Sequence, residues 1–215
     1  VHLAQPIIGQ TAYRWAMETL GGIADMRLLD AACGTGYGSF ALATRARSVV
    51  GVDRDFPTVR EASRRYHQSN LRFLTMDCGA VAFEDATFDA VVSFETIEHL
   101  NDDRQFLREV TRILTPDGCL VLSTPHGKAI GAVPDNPFHC REYTWDELQI
   151  LLSEHFHSVR FFGRRLGARL ERLELELNRV RRFDPLGLRR FLPRKFRHRV
   201  GGLISRSRGG IDLEE

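Results

Sequence analysis

The chain has 215 residues, 43% of them hydrophobic and 27% charged, a balance that suits one soluble α/β domain with a full core and a small addition. No run of 18 or more apolar residues exists, so no spanning helix is expected. VHLAQPIIGQ has no basic region leading into an apolar core, so a cytoplasmic protein without a signal peptide is expected. The net charge of +2 hides an asymmetry: residues 1–163 carry 15 basic and 21 acidic side chains, residues 164–215 carry 15 and 7.

Residues 9–23 read as a helix that ends at the glycine pair 21–22. RLLDAACG (27–34) reads as a buried strand running into a glycine turn, residues 37–46 as a short helix, and SVVGVD (48–53) as a second strand. Asp55 and Pro57 suit the start of a helix over 55–67. LRFLTMD (71–77) and FDAVVSF (88–94) are the third and fourth strands. Asp102 and Asp103 open a helix with Phe106, Leu107, Val110 and Leu114 on one face. Pro116–Asp117–Gly118 is a turn signal before a fifth strand, CLVLSTP (119–125). Residues 126–143 form a loop rich in Gly, Pro and His. Thr144 and Glu147 form a capping box for a helix through Glu154, and SVRFFG (158–163) is a sixth strand. Apolar strands alternating with amphipathic helices predict a mostly parallel sheet covered on both faces, with ligands bound beyond the carboxyl ends of the strands.

The first strand and its turn, LLDAACGTGYGS (28–39), lack the Gly-Lys-Ser/Thr of a phosphate-binding P-loop. Gly34, Gly36 and Gly38 make GxGxG, one residue short of the dinucleotide fingerprint. Gly34 and Gly36 let backbone turn and approach a ligand closely; on their own they also suit a plain tight strand–helix turn. Asp30 would repel a pyrophosphate and tolerate a cation. Asp53, ending the second strand, is placed to accept ribose hydroxyls. Asp77, ending the third, can take an adenine amino group, with the Cys78 backbone near a ring nitrogen. Three carboxylates on successive strands suit a nucleoside that carries positive charge.

With these motifs the chain resembles the class I S-adenosylmethionine-dependent methyltransferases. LLDAACGTGYGS is similar to their first motif, VVGVDRD to the second and LRFLTMD to the third. FDAVVSFETIEHL (88–100) and LREVTRILTPDGCLVLSTP (107–125) are similar to the later ones, with TPDG where the subfamily usually has a leader such as LKPGG. The resemblance covers Met26 to Gly163. It implies a Rossmann-like, seven-stranded, mostly parallel sheet and S-adenosylmethionine as cofactor. Gly34 and Gly36 would line the methionine part, Asp53 would hold the ribose and Asp77 the adenine, and Ala32, Arg54 and Cys78 would also bind the cofactor. Asp30 and Glu95 would complete the site, and Tyr13 sits where an N-terminal helix often closes over the cofactor. The family's last strand is antiparallel; here a helical pattern follows SVRFFG, leaving VGGLIS (200–205) as the late candidate.

Transfer from a sulfonium needs an acceptor in line with the methyl, and a base if the acceptor must lose a proton. His99, His126 and His139 fall on loops after strands and are the candidate bases, two of them acting as base and orienter. His99 alternatively anchors its loop. Asp135, Arg141 and Glu142 suit a polyhydroxy acceptor, and NPFHCREYTWDEL (136–148) resembles a pattern of sugar and envelope-glycan methyltransferases. The expected reaction is O-methylation of a small-molecule hydroxyl, of a saccharide or glycoside. The alternatives are a carbon, nitrogen, quinone or phenol acceptor, or an inactive cofactor-binding scaffold. The three histidines with Asp135 or Glu98 would suit a hard divalent cation such as Mg2+, but no spacing such as HExxH supports it and no metal ligand is assigned.

Two regions follow: a cofactor-binding core with an N-terminal helical lid over 1–163, and an Arg-rich helical extension over 164–215. Leu166, Leu170, Leu173, Leu177 and Val180 make a short heptad-like seam, which points to docking on the body or a homo-oligomer. LRRFLPRKFRHRV (188–200) interleaves apolar and basic residues and suits a lid or a peripheral membrane contact. No stacking platform or finger spacing accompanies the charge, so nucleic acid is not expected as a partner. Cysteines 33, 78, 119 and 140, in or beside apolar runs without CxxC spacing, read as buried free thiols.

Overall fold

Five stretches of chain form strands: β1 (Arg27–Ala31), β2 (Ser48–Asp53), β3 (Leu71–Thr75), β4 (Phe88–Phe94) and β5 (Leu114–Ser123). All neighbouring pairs are parallel, in the order β3-β2-β1-β4-β5. The winding reverses between β1 and β4, so a crevice opens at their carboxyl ends. The computed structural model describes residues 5–163 apart from 128, 132, 133 and 135, and only the backbone of residues 5–10.

The helices are α1 (Gln5–Thr19), α2 (Tyr37–Ala43), α3 (Phe56–Arg65), α4 (Asp103–Ile113) and α5 (Trp145–Ser153). Three have the caps their sequences announce. Asp55 accepts from the Thr58 N–H, Asp102 from the Gln105 N–H, and Thr144 and Glu147 close a reciprocal capping box. Tyr13 and Ala16 of α1 and Leu42 and Ala43 of α2 share a core with Leu28, Val49, Ala90, Val92 and Val121 of the strands. The pleat sends Leu29 and Val91 to the opposite face, where they are buried as well. Both faces of the sheet are therefore covered, as parallel strands require. α4 buries Phe106, Leu107, Val110 and Ile113 along one stripe.

The sheet has five strands among the described residues, not the seven expected. Among the described residues SVRFFG forms no strand ladder: its alternation of half-buried and exposed residues fits an edge, but it does not pair with β5. Alternation makes a strand only where a neighbour supplies hydrogen bonds. VGGLIS, the heptad-like seam and the basic segment lie outside the described residues, and with them the expectations of oligomer, lid and membrane contact. β5 begins earlier than expected. Phe88 pairs with Leu114 and Ala90 with Cys119, so Thr115–Gly118 bulges out opposite the single residue Asp89. The turn signal is real, but it lies inside the strand. Of the cysteines, all free, Cys33 is buried and Cys78 half-buried, whereas Cys119 and Cys140 are exposed, contrary to the reading of all four as buried.

Candidate functional site

β1 and β4 leave the sheet in the same way. The next residues, Ala32 (φ 60°) and Glu95 (φ 52°), hold left-handed backbone that non-glycine residues adopt only at a cost of about 1 kcal/mol. Such strain on both sides of one crevice marks a place where chain direction matters more than local comfort. Gly34 (φ 52°) and Gly36 (φ 78°) continue the turn after β1. A Cβ at Gly34 would meet nothing within 4 Å, so the space above it is open. A Cβ at Gly36 would stand 2.7 Å from Ala62 and from the Phe73 ring. One glycine leaves room for a ligand and the other lets α3 and β3 approach.

Asp53 ties the turn to the next strand. Its Oδ2 accepts from the Gly34 N–H at 2.9 Å and its Oδ1 from the Asp55 N–H at 3.0 Å. Each carboxylate oxygen can accept a second bond, so the pair stays competent for two hydroxyls. Arg54 beside it is exposed. At the end of β3, exposed Asp77 accepts from the Gly79 N–H at 2.8 Å. Half-buried Cys78 has its thiol pushed up to about 11 by burial and by the Asp77 charge, so it stays neutral. Glu95 is exposed and accepts from the Ser123 hydroxyl at 2.6 Å.

Asp30 lies beneath the turn, fully buried. Its Oδ1 accepts from the Tyr13 hydroxyl at 2.9 Å and its Oδ2 from Ser39 at 2.6 Å. Burial raises its pKa to about 6 against the pull of those two donors. Asp30 is thus tied to α1 through Tyr13 and to α2 through Ser39. Ser39 was not singled out in the sequence, although its position in the helix after the glycines puts it over the strand end.

The histidines separate into a pair and an outlier. The loop over 138–143 is pinned to the turn after β4: the Glu98 carbonyl accepts from the Cys140 and Arg141 N–H groups at 2.7 and 3.3 Å. Asp103 accepts from Arg141 and from the Tyr143 hydroxyl, both at 2.8 Å. The His99 and His139 rings consequently stand edge to face, 4.8 Å between centroids, although 40 positions separate them. His99 donates its Nδ1–H to the Phe138 carbonyl at 2.8 Å. Its Nε2 has no partner among the described residues. Both nitrogens of His139 are engaged: Nδ1–H donates to Glu142 at 2.8 Å and Nε2 accepts from Asn136 at 2.8 Å. His126 is exposed and packs against Trp145, 5.5 Å between centroids. Arg141 and Glu142, expected to meet a polyhydroxy acceptor, are bonded to Asp103 and His139 instead. Asp135 lies outside the described residues. Two residues that complete the cluster carry a legible signal only in retrospect. Asn136 stands three before His139, as Glu142 stands three after it, and buried Glu98 stands between apolar Ile97 and His99.

A parallel sheet wound outward from β1 and β4, an open glycine turn and a carboxylate holding that turn make a Rossmann-like α/β fold with a ligand crevice at its switch point. Residues 29–122 match the family model described as a methyltransferase domain. A probable S-adenosylmethionine-dependent methyltransferase of Mycobacterium tuberculosis is 36% identical over 151 residues, covering 68% of this chain and 54% of that one. A similarly described Mycolicibacterium smegmatis protein is 40% identical over 128 residues, covering 58% of this chain and 49% of that one. A solved Pyrococcus horikoshii protein superposes with a TM-score of 0.60 at 25% identity, over 78% of this chain and 88% of that one. Residues 29–122 carry a methyltransferase domain, and with it the chain has the class I S-adenosylmethionine-dependent methyltransferase fold. It spans about half the length of these curated relatives. No helix among the described residues is long and apolar enough to cross a membrane.

Proposed function

We propose that the chain methylates a hydroxyl of a small molecule, a saccharide or glycoside, with S-adenosylmethionine as donor. When bound, that cofactor supplies an electrophilic methyl on a positively charged sulfur. The described residues fit it. Gly34 leaves open space over the turn, Asp53 keeps acceptor capacity for a ribose, and Asp77 stands exposed at the next strand end. Asp30 lends negative charge beneath the crevice, stabilising a cation more than a neutral ligand.

The observation that carries the hydroxyl acceptor is the state of His99. Its Nδ1–H is anchored on the Phe138 carbonyl, which leaves Nε2 as the lone pair available to act on an acceptor proton. The sugar reading is supported by exposed aromatic surface on the loop that anchors His99 and at the start of α5. Phe138 is 79% exposed and Trp145 is 46% exposed, and such faces pack on the apolar side of a sugar ring. The test is a labelled-cofactor screen against glycosides, phenols, quinols and amines. Label in a glycoside ether is the expected result. Label only in an amine, or only at carbon, would end the hydroxyl reading, and no binding of S-adenosylmethionine or S-adenosylhomocysteine would end the cofactor assignment.

A further inference from the structure

Glu98 is wholly buried, yet its Oε1 has no hydrogen-bond partner, while its Oε2 accepts from Thr124 at 3.0 Å. A buried acceptor left open is costly and asks for an occupant. Glu98, His99 and His139 each offer one donor atom within 4.8 Å of the others. The two imidazoles are held alike. His99 has its Nδ1–H on a backbone carbonyl and His139 on the Glu142 carboxylate, each at 2.8 Å. That outer arrangement fixes the tautomer of metal-ligating histidines and turns Nε2 into the ligand atom. Nε2 of His139 accepts from the neutral amide of Asn136, a bond that a cation can replace.

We propose that Glu98 Oε1 and the Nε2 atoms of His99 and His139 form a three-ligand site for a first-row divalent cation, with coordination positions left open. Ligands sharing one such cation lie about 3 Å apart, so the cluster closes with a side-chain adjustment on the order of 1 Å. Two imidazoles and one carboxylate favour Mn2+, Fe2+, Co2+ or Zn2+ over Mg2+, which takes oxygen ligands. His126, beside Trp145, is no part of the site. An alcohol entering an open position would be acidified and would release its proton to water, and His99 would then act as a ligand rather than a base. That use rests on the methyl-transfer reading above; the binding of the cation does not.

Calorimetry on the chelator-stripped full chain tests it, with Mn2+ as probe because the exposed Cys119 and Cys140 thiols would compete for Zn2+. The expected result is one Mn2+ per chain, with Mg2+ weaker by at least about tenfold. Glu98→Gln should weaken Mn2+ by roughly 100-fold, and Glu142→Gln, which loosens His139 from outside the ligand set, by about tenfold. No Mn2+ binding to the unaltered chain, or Mn2+ affinity unchanged in both variants, would overturn the site. Should Glu98→Gln fail to fold, Glu142→Gln decides alone. S-adenosylhomocysteine titrated into the same preparations keeps the two readings apart: its binding without Mn2+ binding rejects the cation site and spares the cofactor.

Discussion

The Tyr13 hydroxyl donates to the carboxylate of Asp30 at 2.9 Å, across 17 residues of sequence. Gly38 admits this contact, because a Cβ there would stand 2.0 Å from the Tyr13 ring. The third glycine of the motif thus serves α1 rather than a ligand. Tyr13 also packs edge to face on Phe94, at 4.8 Å between centroids, so α1 is fastened to the ends of both strands that frame the crevice.

Ionisation of Asp30 should set part of the pH dependence of stability. Its folded pKa of about 6 lies above the ordinary 3.8. The folded state therefore holds the proton more tightly, and the contribution is fully present below pH 3.8 and lost as pH rises through 6. The difference corresponds to roughly 3 kcal/mol. Asp30→Asn, which cannot ionise, should gain stability relative to the unaltered chain between pH 5 and 8, about that much at most. Urea midpoints at both pH values measure it. The same variant should lose affinity for S-adenosylmethionine, a cation, more than for S-adenosylhomocysteine. Equal losses would remove the electrostatic role.

The two turn glycines should fail differently. Gly36→Ala combines a left-handed residue with overpacking against Phe73 and Ala62, so a loss of about 2–5 kcal/mol is expected in thermal melts. Gly34→Ala has the same backbone strain but no clash, so about 1–2 kcal/mol is expected. Its methyl group enters the open space over the turn, however. Gly34→Ala should therefore stay folded and bind S-adenosylhomocysteine at least about tenfold more weakly.

Much of this was legible in the sequence because it is local. Asp55, Asp102 and Thr144 announce their helices through bonds to N–H groups three residues on. SVVGVD and FDAVVSF are strands of the length their apolar runs suggest. The failures are non-local. Nothing in TPDG tells that Leu114 already pairs with Phe88 ahead of the turn, and nothing in SVRFFG tells that it forms no ladder with β5. At the site, Asp53 and Gly34 meet as their places at adjacent strand ends imply. That His139 rather than His126 faces His99 depends on Asp103 capturing Arg141 and Tyr143, a contact no spacing rule reveals.

Asp53 should be required for the cofactor and less so for the fold. Asp53→Ala removes the acceptor for the Gly34 and Asp55 N–H groups, the second of them exposed to water. About 1–2 kcal/mol of stability is expected to go in chemical denaturation. Calorimetry with S-adenosylhomocysteine should show a loss of about 100-fold or more, since charged hydrogen bonds to a ligand are each worth roughly 1.5–3 kcal/mol. Affinity unchanged within twofold would show that the ribose lies elsewhere.

The three histidines should rank by their free nitrogens. His99→Ala removes the Nε2 that has no partner among the described residues and should lower the methylation rate by about 10²–10⁴, whether that nitrogen takes a proton or holds a cation. His139→Ala removes the ring whose nitrogens bridge Asn136 and Glu142, so it should reduce both the rate and the melting temperature. His126→Ala loses only a surface contact with Trp145 and should keep most of the rate while raising KM for a ring-shaped acceptor. Initial rates for the three variants on the best acceptor of the screen settle the order. A His126→Ala rate as low as that of His99→Ala would move the chemistry to the other side of the loop. Separating proton transfer from cation binding at His99 then takes one more measurement, the rate of the stripped chain with and without Mn2+. A rate that returns only with Mn2+ assigns Nε2 to the cation, and a full rate without it assigns Nε2 to the proton.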